Sequence, residues 1–153
     1  MNSTKLVAAF LVAPALPALI IAVPALWMNT LLASVWSMFM LVSIVTYAHA
    51  IILGLPATWL LSRCGPLTWL RVIAAAFLIG ALPFAGLTLY QESTIPPGAG
   101  YEANGVVLRD DGRLTSAGMR SAVLGVLQLG VLGAMTGLVW WLIARPKTQR
   151  LTA

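Results

Sequence analysis

The chain has 153 residues, of which 60% are hydrophobic and only 8% are charged, and its formal net charge is +5. Soluble domains carry about 25% charged residues, so this composition excludes an ordinary soluble fold. The basic residues are scattered around the ends of apolar runs and form no stripe. This distribution argues against a nucleic-acid surface and favours a role in setting membrane topology.

Three runs of the chain contain no Asp, Glu, Lys or Arg, and they lie at residues 6–62, 72–91 and 121–144. One membrane crossing needs roughly 20 apolar residues, so the first run holds two helices and each of the others holds one. The predicted transmembrane helices cover residues 6–27, 32–61, 67–90 and 119–143. The predicted fold class is therefore an all-α integral membrane protein, a four-transmembrane-helix bundle that forms a single domain, with a polar break at Asn29-Thr30.

Prolines interrupt three of the four predicted helices: Pro14, Pro17 and Pro24 in the first, Pro56 in the second and Pro83 in the third. Each removes a helical hydrogen bond and tends to kink the helix. Such breaks line substrate sites in some transporters. They are also ordinary in membrane helices, where neighbours satisfy the freed backbone groups, and we interpret these as kinks.

His49 is the only His, Asp, Glu, Lys or Arg well inside a predicted span, and such a residue is a functional candidate by default. Thr46, three residues earlier, shares its helical face and is within reach of it. Gln128 in the fourth helix also needs a partner across the bundle, for which His49 is a candidate. Because no second His, Cys, Asp or Glu lies in any predicted span, we predict no metal site and interpret His49 as a neutral, packed imidazole. Proton coupling, and haem or metal ligation across a homodimer, are the alternatives.

The fourth helix is rich in glycine. Gly133 and Gly137 form a G-x-x-x-G pair, Gly130 lies just before them, and Ala76 and Gly80 form a similar small pair on the third helix. Small residues let neighbouring backbones approach closely. Two interpretations stay open: the third and fourth helices pack together within the chain, or this face receives a foreign helix or a second copy.

The polar loop at residues 91–118 contains the pattern of a β-hairpin. An apolar, β-branched run that includes Val106 and Leu108 meets the turn Asp110-Asp111-Gly112, and a short run at 113–115 follows. A two-stranded hairpin alone is marginal in water, so this one needs support from the helix ends or from a partner. A disordered linker is the alternative.

The flanking charges predict an orientation. Six basic residues and no acid flank one side of the spans: Lys5, Arg63, Arg71, Arg145, Lys147 and Arg150. Every acidic residue lies in the loop at 91–118. By the positive-inside rule, both termini are cytoplasmic and the loop is outside. The single cysteine, Cys64, then lies in a cytoplasmic turn, where thiols stay reduced.

Four short spans, cytoplasmic ends flanked by Lys and Arg, and one outer loop resemble the small bacterial inner-membrane immunity and accessory proteins. The resemblance covers the whole chain in layout and includes no diagnostic motif, so no family residue is carried over. Some members of that group protect a cell by binding a pore-forming toxin within its membrane. The resemblance therefore implies a protective or partner-binding role in the bacterial inner membrane.

We expect a non-enzymatic protein that binds another membrane-inserted protein, as an immunity protein against a membrane toxin or as an assembly subunit. The expected binding residues are Gly130, Gly133, Gly137, Val106, Leu108, Asp110 and Asp111. The alternative is a small proton-linked transporter or channel subunit that uses His49 and Gln128.

The chain contains no Walker loop, G-x-S-x-G, H-E-x-x-H or C-x-x-C motif. We therefore predict no enzymatic activity and no cofactor. The expected partners are the lipid bilayer and another membrane protein, with a homo-oligomer left open and nucleic acid excluded.

Overall fold

The computed structural model describes residues 3–27 and 32–144 and is mostly helical. Four of its helical stretches are long and apolar enough to cross a membrane, as the charge-free runs predict: Ser3–Pro24, Ser34–Arg63, Trp69–Thr94 and Ser116–Ala144. The predicted break at Asn29-Thr30 and the basic residues Arg145, Lys147 and Arg150 lie outside the described residues.

The first span consists of two helices, α1 (Ser3–Val12) and α2 (Ala15–Trp27). They meet at Pro14, where the sequence predicts a kink and the structure has a short turn. Proline lacks the N–H that would continue the helix, and its ring clashes with the preceding turn. The α-helical hydrogen-bond pattern is therefore interrupted at this turn.

The helix α3 (Leu32–His49) packs against α2 and supplies hydrogen bonds at this break. The Thr46 hydroxyl donates to the carbonyl oxygen of Pro14 over 2.8 Å, and the Tyr47 hydroxyl donates to that of Leu11. The two hydroxyls therefore join α3 to the backbone of the first span at this break. Thr46 lies within reach of His49 on the same helical face but does not bond it, because both acceptors of its hydroxyl are backbone carbonyls, those of Pro14 and Ser43.

After α3 the second span continues through a π-helical turn, Ala50–Gly54, into α4 (Leu55–Arg63). The Leu55 N–H donates to the carbonyl of Ala50, five residues back. Pro56 explains the widened turn, because it has no N–H to donate and its ring would crowd a carbonyl four residues earlier in an α-helix. The predicted kink at Pro56 is therefore a π turn.

The third and fourth spans are α5 (Trp69–Thr94) and α6 (Ser116–Ala144), and they form the most extensive helix pair of the described chain. The Thr68 hydroxyl caps α5 by accepting from the Arg71 N–H over 3.4 Å. At its other end α5 stops before Pro96 and Pro97, as expected because the residue before a proline avoids the helical region.

Between α5 and α6 lies a three-stranded antiparallel sheet in the order β1 (Tyr101–Ala103), β2 (Val106–Asp110) and β3 (Arg113–Leu114). The predicted hairpin is present as β2 and β3, and its Asp111-Gly112 turn has positive φ at both residues. The strand β1 was not predicted. It joins β2 through Asn104-Gly105, which also has positive φ at both residues and is a strong hairpin signal.

The two ends of the bundle differ in charge. At the end away from the sheet, α1, α5 and α6 meet in a small core made of Ala9, Ala13, Val72, Trp140 and Ala144. Lys5, Arg63 and Arg71 lie at or near this end, whereas all the acidic residues lie near the sheet. The described chain therefore has a basic end and an end that carries the sheet.

Candidate functional site

An apolar groove runs along the middle of the bundle, between the α3–α4 span on one side and α5 with α6 on the other. It exists because α3 packs mainly on α2 while α5 packs mainly on α6. Its volume is about 530 Å³. We call it the central groove; it is bounded by residues within 10–21, 41–61, 67–87 and 129–140. None of its lining residues is Asp, Glu, Lys or Arg.

His49 lines the central groove at the junction between α3 and the π turn, near the middle of the second span. Its Nδ1 lies 2.7 Å from the carbonyl oxygen of Val45. A carbonyl can only accept, so Nδ1 carries the proton, and in the neutral ring Nε2 is left as an acceptor. No hydrogen bond to Nε2 occurs within the described parts of the chain.

Three threonine hydroxyls also line the groove, and each donates its proton to a backbone carbonyl. Thr46 donates to Pro14 (2.8 Å), Thr58 to Gly54 (2.7 Å) and Thr136 to Leu132 (2.9 Å).

The indole N–H of Trp140, another lining residue, is buried and makes no hydrogen bond to the described residues. It is therefore not presented at the groove surface. At the surface of the groove, His49 therefore presents a hydrogen-bond acceptor, while His49, the three threonines and Trp140 present no free donor.

The structure does not bring His49 and Gln128 together. Gln128 is exposed on α6 and is not among the residues that line the groove. In residues 3–27 and 32–144 no hydrogen bond reaches its amide. The face of α6 that meets the groove and α5 carries the glycines, and Gln128 lies outside that contact.

The glycines of α6 pack against α5. A Cβ on Gly133 would overlap the Ala76 carbonyl oxygen and would lie 3.3 Å from the Gly80 Cα. A Cβ on Gly130 would overlap the Phe77 ring, and one on Gly137 would meet Ala76. The face is therefore occupied by the chain's own α5, and another protein could use it only by displacing α5.

The exposed face of α6 continues into the outer sheet. Gln128 shares this face with Leu124, Val131 and Met135, which are 43–52% exposed and lie three, four or seven residues away from it. Leu124 also borders a concavity between the sheet and the start of α6, together with Val106, Leu108, Ala103, Asn104 and Arg120. We call this continuous surface the α6–sheet surface.

An ion pair fixes the sheet to α5. Arg109 is only 8% exposed, its guanidinium lies 2.5 Å from the Glu92 carboxylate, and it also donates to the carbonyl of Gly112. This ion pair was not predicted from the sequence. An arginine at a strand position of a predicted hairpin and a glutamate at the end of the preceding helix were the available signals.

Thr115 fixes the sheet to α6. Its hydroxyl accepts from the Gly118 N–H over 3.0 Å and donates to the carbonyl of Val107 over 2.7 Å. The predicted site residue Asp111 has a local structural contact, since its carboxylate accepts from the Gly98 N–H over 2.7 Å. Asp110 is exposed at the end of β2.

A family model described as a TM225-like domain matches residues 17–101, which is more than half of the chain. The chain belongs to the TM225-like family. The TM225-like region contains His49, the π turn and all of α3, α4 and α5, and α6 lies beyond it. It therefore supplies most of the central groove and none of the exposed face of α6.

No curated protein and no solved structure matches the chain. The comparisons thus give no support to the layout resemblance to immunity proteins. Among the described residues of this TM225-like chain, no three His, Cys, Asp or Glu side chains are placed to hold a metal ion.

Proposed function

We propose that this TM225-like chain is a non-enzymatic membrane protein that binds another membrane-inserted protein through the α6–sheet surface. The observation that carries the proposal is Gln128. Its amide lies about 10 Å inside the charge-free run that begins at Ser121, at 1.5 Å per residue, and it faces outward without a partner in the described chain.

An amide exposed to hydrocarbon is costly, and membrane helices relieve this cost by hydrogen bonding to one another. A partner helix packed along Leu124, Gln128 and Val131 would supply that hydrogen bond. The outer sheet extends the same surface beyond the span, where Val106 is 46% exposed. Its β1 edge is paired on one side only, and such an edge can accept a strand from another protein.

The proposal places the four spans in a bacterial inner membrane, with both termini in the cytoplasm and the sheet outside. The separation of Lys5, Arg63 and Arg71 from the acidic residues supports this orientation. Protection against a pore-forming toxin and accessory assembly in a resident complex are the two specific forms of the proposal. They differ in whether the partner is a secreted, membrane-inserting protein or a permanent subunit.

The alternative of proton-linked transport requires a relay between His49 and Gln128. These side chains lie on different surfaces of the bundle, and no Asp, Glu, Lys or Arg lines the groove together with His49. Both features argue against proton-linked transport.

Site-specific photo-crosslinking in intact cells tests the partner surface. A benzophenone amino acid at Val131 should form an adduct with a different membrane protein, and Gln128→Leu should reduce its yield severalfold. The matched control is the same label at Leu78, which is 51% exposed on α5 and should give no such adduct. Equal adducts from both positions, or an adduct only with a second copy of the chain, would contradict the proposal.

Thiol labelling tests the orientation, because Cys64 is the only cysteine and is exposed. A membrane-impermeant maleimide should label Cys64 only after the cells are permeabilised. In a Cys64→Ser background, Gly100→Cys before β1 should be labelled in intact cells. The reverse pattern would show that the topology is inverted.

A further inference from the structure

We propose that the central groove binds an uncharged isoprenoid quinol, whose hydroxyl donates to Nε2 of His49 while its tail lies along the groove. This site is separate from the α6–sheet surface, and it rests on the size, charge, hydrogen-bonding character and depth of the groove.

The shape of the groove suits a hydrocarbon chain. The groove is apolar and has a volume of about 530 Å³. Its lining extends from Leu41 to Leu61 along the second span, a distance of about 30 Å at 1.5 Å per residue. A long, narrow ligand fits this shape.

The absence of charge in the lining excludes ionic ligands. None of the residues around the groove is acidic or basic apart from His49. A phosphate, carboxylate or ammonium group held there would be buried without a counter-charge, which is strongly unfavourable. The ligand that fits is neutral and mostly hydrocarbon.

The hydrogen-bonding groups of the groove select a ligand that donates. The Nδ1 proton of His49 is committed to Val45, and the protons of Thr46 and Thr136 are committed to backbone carbonyls. Nε2 of His49 is an acceptor that has no donor in the described chain. A hydroxyl group on the ligand would donate to Nε2. A carbonyl group on the ligand would place a second acceptor against Nε2 and form no hydrogen bond.

The depth of His49 distinguishes a quinol from other hydroxyl-bearing lipids. His49 lies near the middle of the span Ser34–Arg63. The hydroxyls of glycerolipids are held at the membrane surface by the neighbouring ester and headgroup chemistry. A neutral quinol has its hydroxyls on a ring that enters the hydrocarbon interior together with its tail, and it can therefore reach a mid-span acceptor.

The test compares a decyl-tailed benzoquinol with its quinone, which has nearly the same shape but presents carbonyls in place of hydroxyls. The full-length protein is placed in phosphatidylcholine nanodiscs under anaerobic, reducing or oxidising conditions, and binding is measured by native mass spectrometry. Wild type should bind the quinol roughly five- to tenfold more tightly than the quinone, the effect expected of one hydrogen bond within a membrane protein.

His49→Phe keeps a ring and removes the acceptor, so it should abolish this preference. Thr136→Val changes another lining residue whose hydroxyl is bonded within its own helix, and it should leave the preference intact. Circular dichroism and gel filtration of each variant establish that it is folded. Ala57→Phe, which adds bulk to the groove lining, should weaken the binding of both ligands.

Equal binding of quinol and quinone by wild type would overturn the proposal, as would a preference that survives His49→Phe. Competition by hexadecanol as strong as that of the quinol would also overturn it, because the site would then recognise any long-chain alcohol. None of these measurements involves a protein partner, so they are independent of the fate of the α6–sheet surface.

Discussion

Two helix pairs of this bundle are held together by different interactions. The α5–α6 pair packs backbone against backbone, because Gly80 and Gly133 have no side chains and Ala76 has only a methyl group. The α2–α3 pair packs beside a proline break, where Thr46 donates to the carbonyl of Pro14 in the turn before α2 and Tyr47 donates to that of Leu11 in α1. Between helices in lipid there is no hydrophobic driving force, so dispersion contacts and hydrogen bonds must hold the helices together. The close packing of α5 on α6 depends on glycines that have no side chains. The contact between α3 and the first span includes the hydroxyl groups of two side chains.

This difference also explains the central groove. The helices α5 and α6 pack closely against each other, while α3 packs mainly against α2 on the other side. The space left between α3–α4 and α5 is the groove.

Gly133→Ala should be strongly destabilising. The added Cβ would overlap the Ala76 carbonyl oxygen, and a helix backbone cannot move aside as a flexible side chain can. We expect the free energy of unfolding to fall by about 3 kcal/mol, at the upper end for overpacking, as measured by SDS titration in mixed micelles.

The matched control for Gly133→Ala is Gly86→Ala. Gly86 also lies in a spanning helix, α5, but a Cβ there would meet nothing within 4 Å. Its replacement should leave stability unchanged or raise it slightly through helix propensity. Similar losses for both variants would mean that close approach is not what holds α5 to α6.

Arg109→Met tests whether the α5–α6 unit extends into the outer sheet. The change removes the partner of Glu92 and the donor to Gly112. Glu92 keeps 30% exposure, so the expected cost of about 2 kcal/mol is below that of a fully buried pair. Amide hydrogen exchange in β2 should accelerate while exchange in the spans is unchanged.

Arg113→Met is the control for this ion pair, because Arg113 is exposed on the neighbouring strand β3 and forms no ion pair within the described residues. It should leave exchange in β2 close to that of wild type. Faster exchange in both variants would assign the effect to lost positive charge and not to the buried contact.

The sequence predicts most of the fold because its signals are local. Charge-free runs mark the spans, and Asp110-Asp111-Gly112 marks one turn of the sheet. Asn104-Gly105 is an equally local signal that marks the missed second turn, so β1 was predictable. The small pairs on the third and fourth predicted helices left two interpretations open, and only the three-dimensional arrangement shows that they face each other.

The candidate sites were less predictable because they depend on how helices are rotated and spaced. Thr46 could have bonded His49 on its own helix, yet it donates across to Pro14. Gln128 was expected to face inward, yet the glycines place the opposite side of α6 against α5. The groove arises from gaps between helices distant in sequence, and no local pattern encodes such a gap.

Thr46→Val should have a smaller effect than Gly133→Ala and Arg109→Met. It keeps the shape of the side chain and removes one hydrogen bond to the carbonyl of Pro14. The expected loss is about 1 kcal/mol in SDS titration, since interhelical hydrogen bonds in membranes are modest and Tyr47 still donates to Leu11. The double variant Thr46→Val with Tyr47→Phe should lose about twice as much.

Thr136→Val provides the comparison for this last substitution, because its hydroxyl donates to Leu132 within α6 and joins no second helix. The free energy of unfolding should fall clearly less in Thr136→Val than in Thr46→Val. If the two threonines cost the same, the hydroxyl at the proline break acts only on its local backbone. The α2–α3 pair would then depend on packing, as α5 and α6 do, and the contrast between the two helix pairs would disappear.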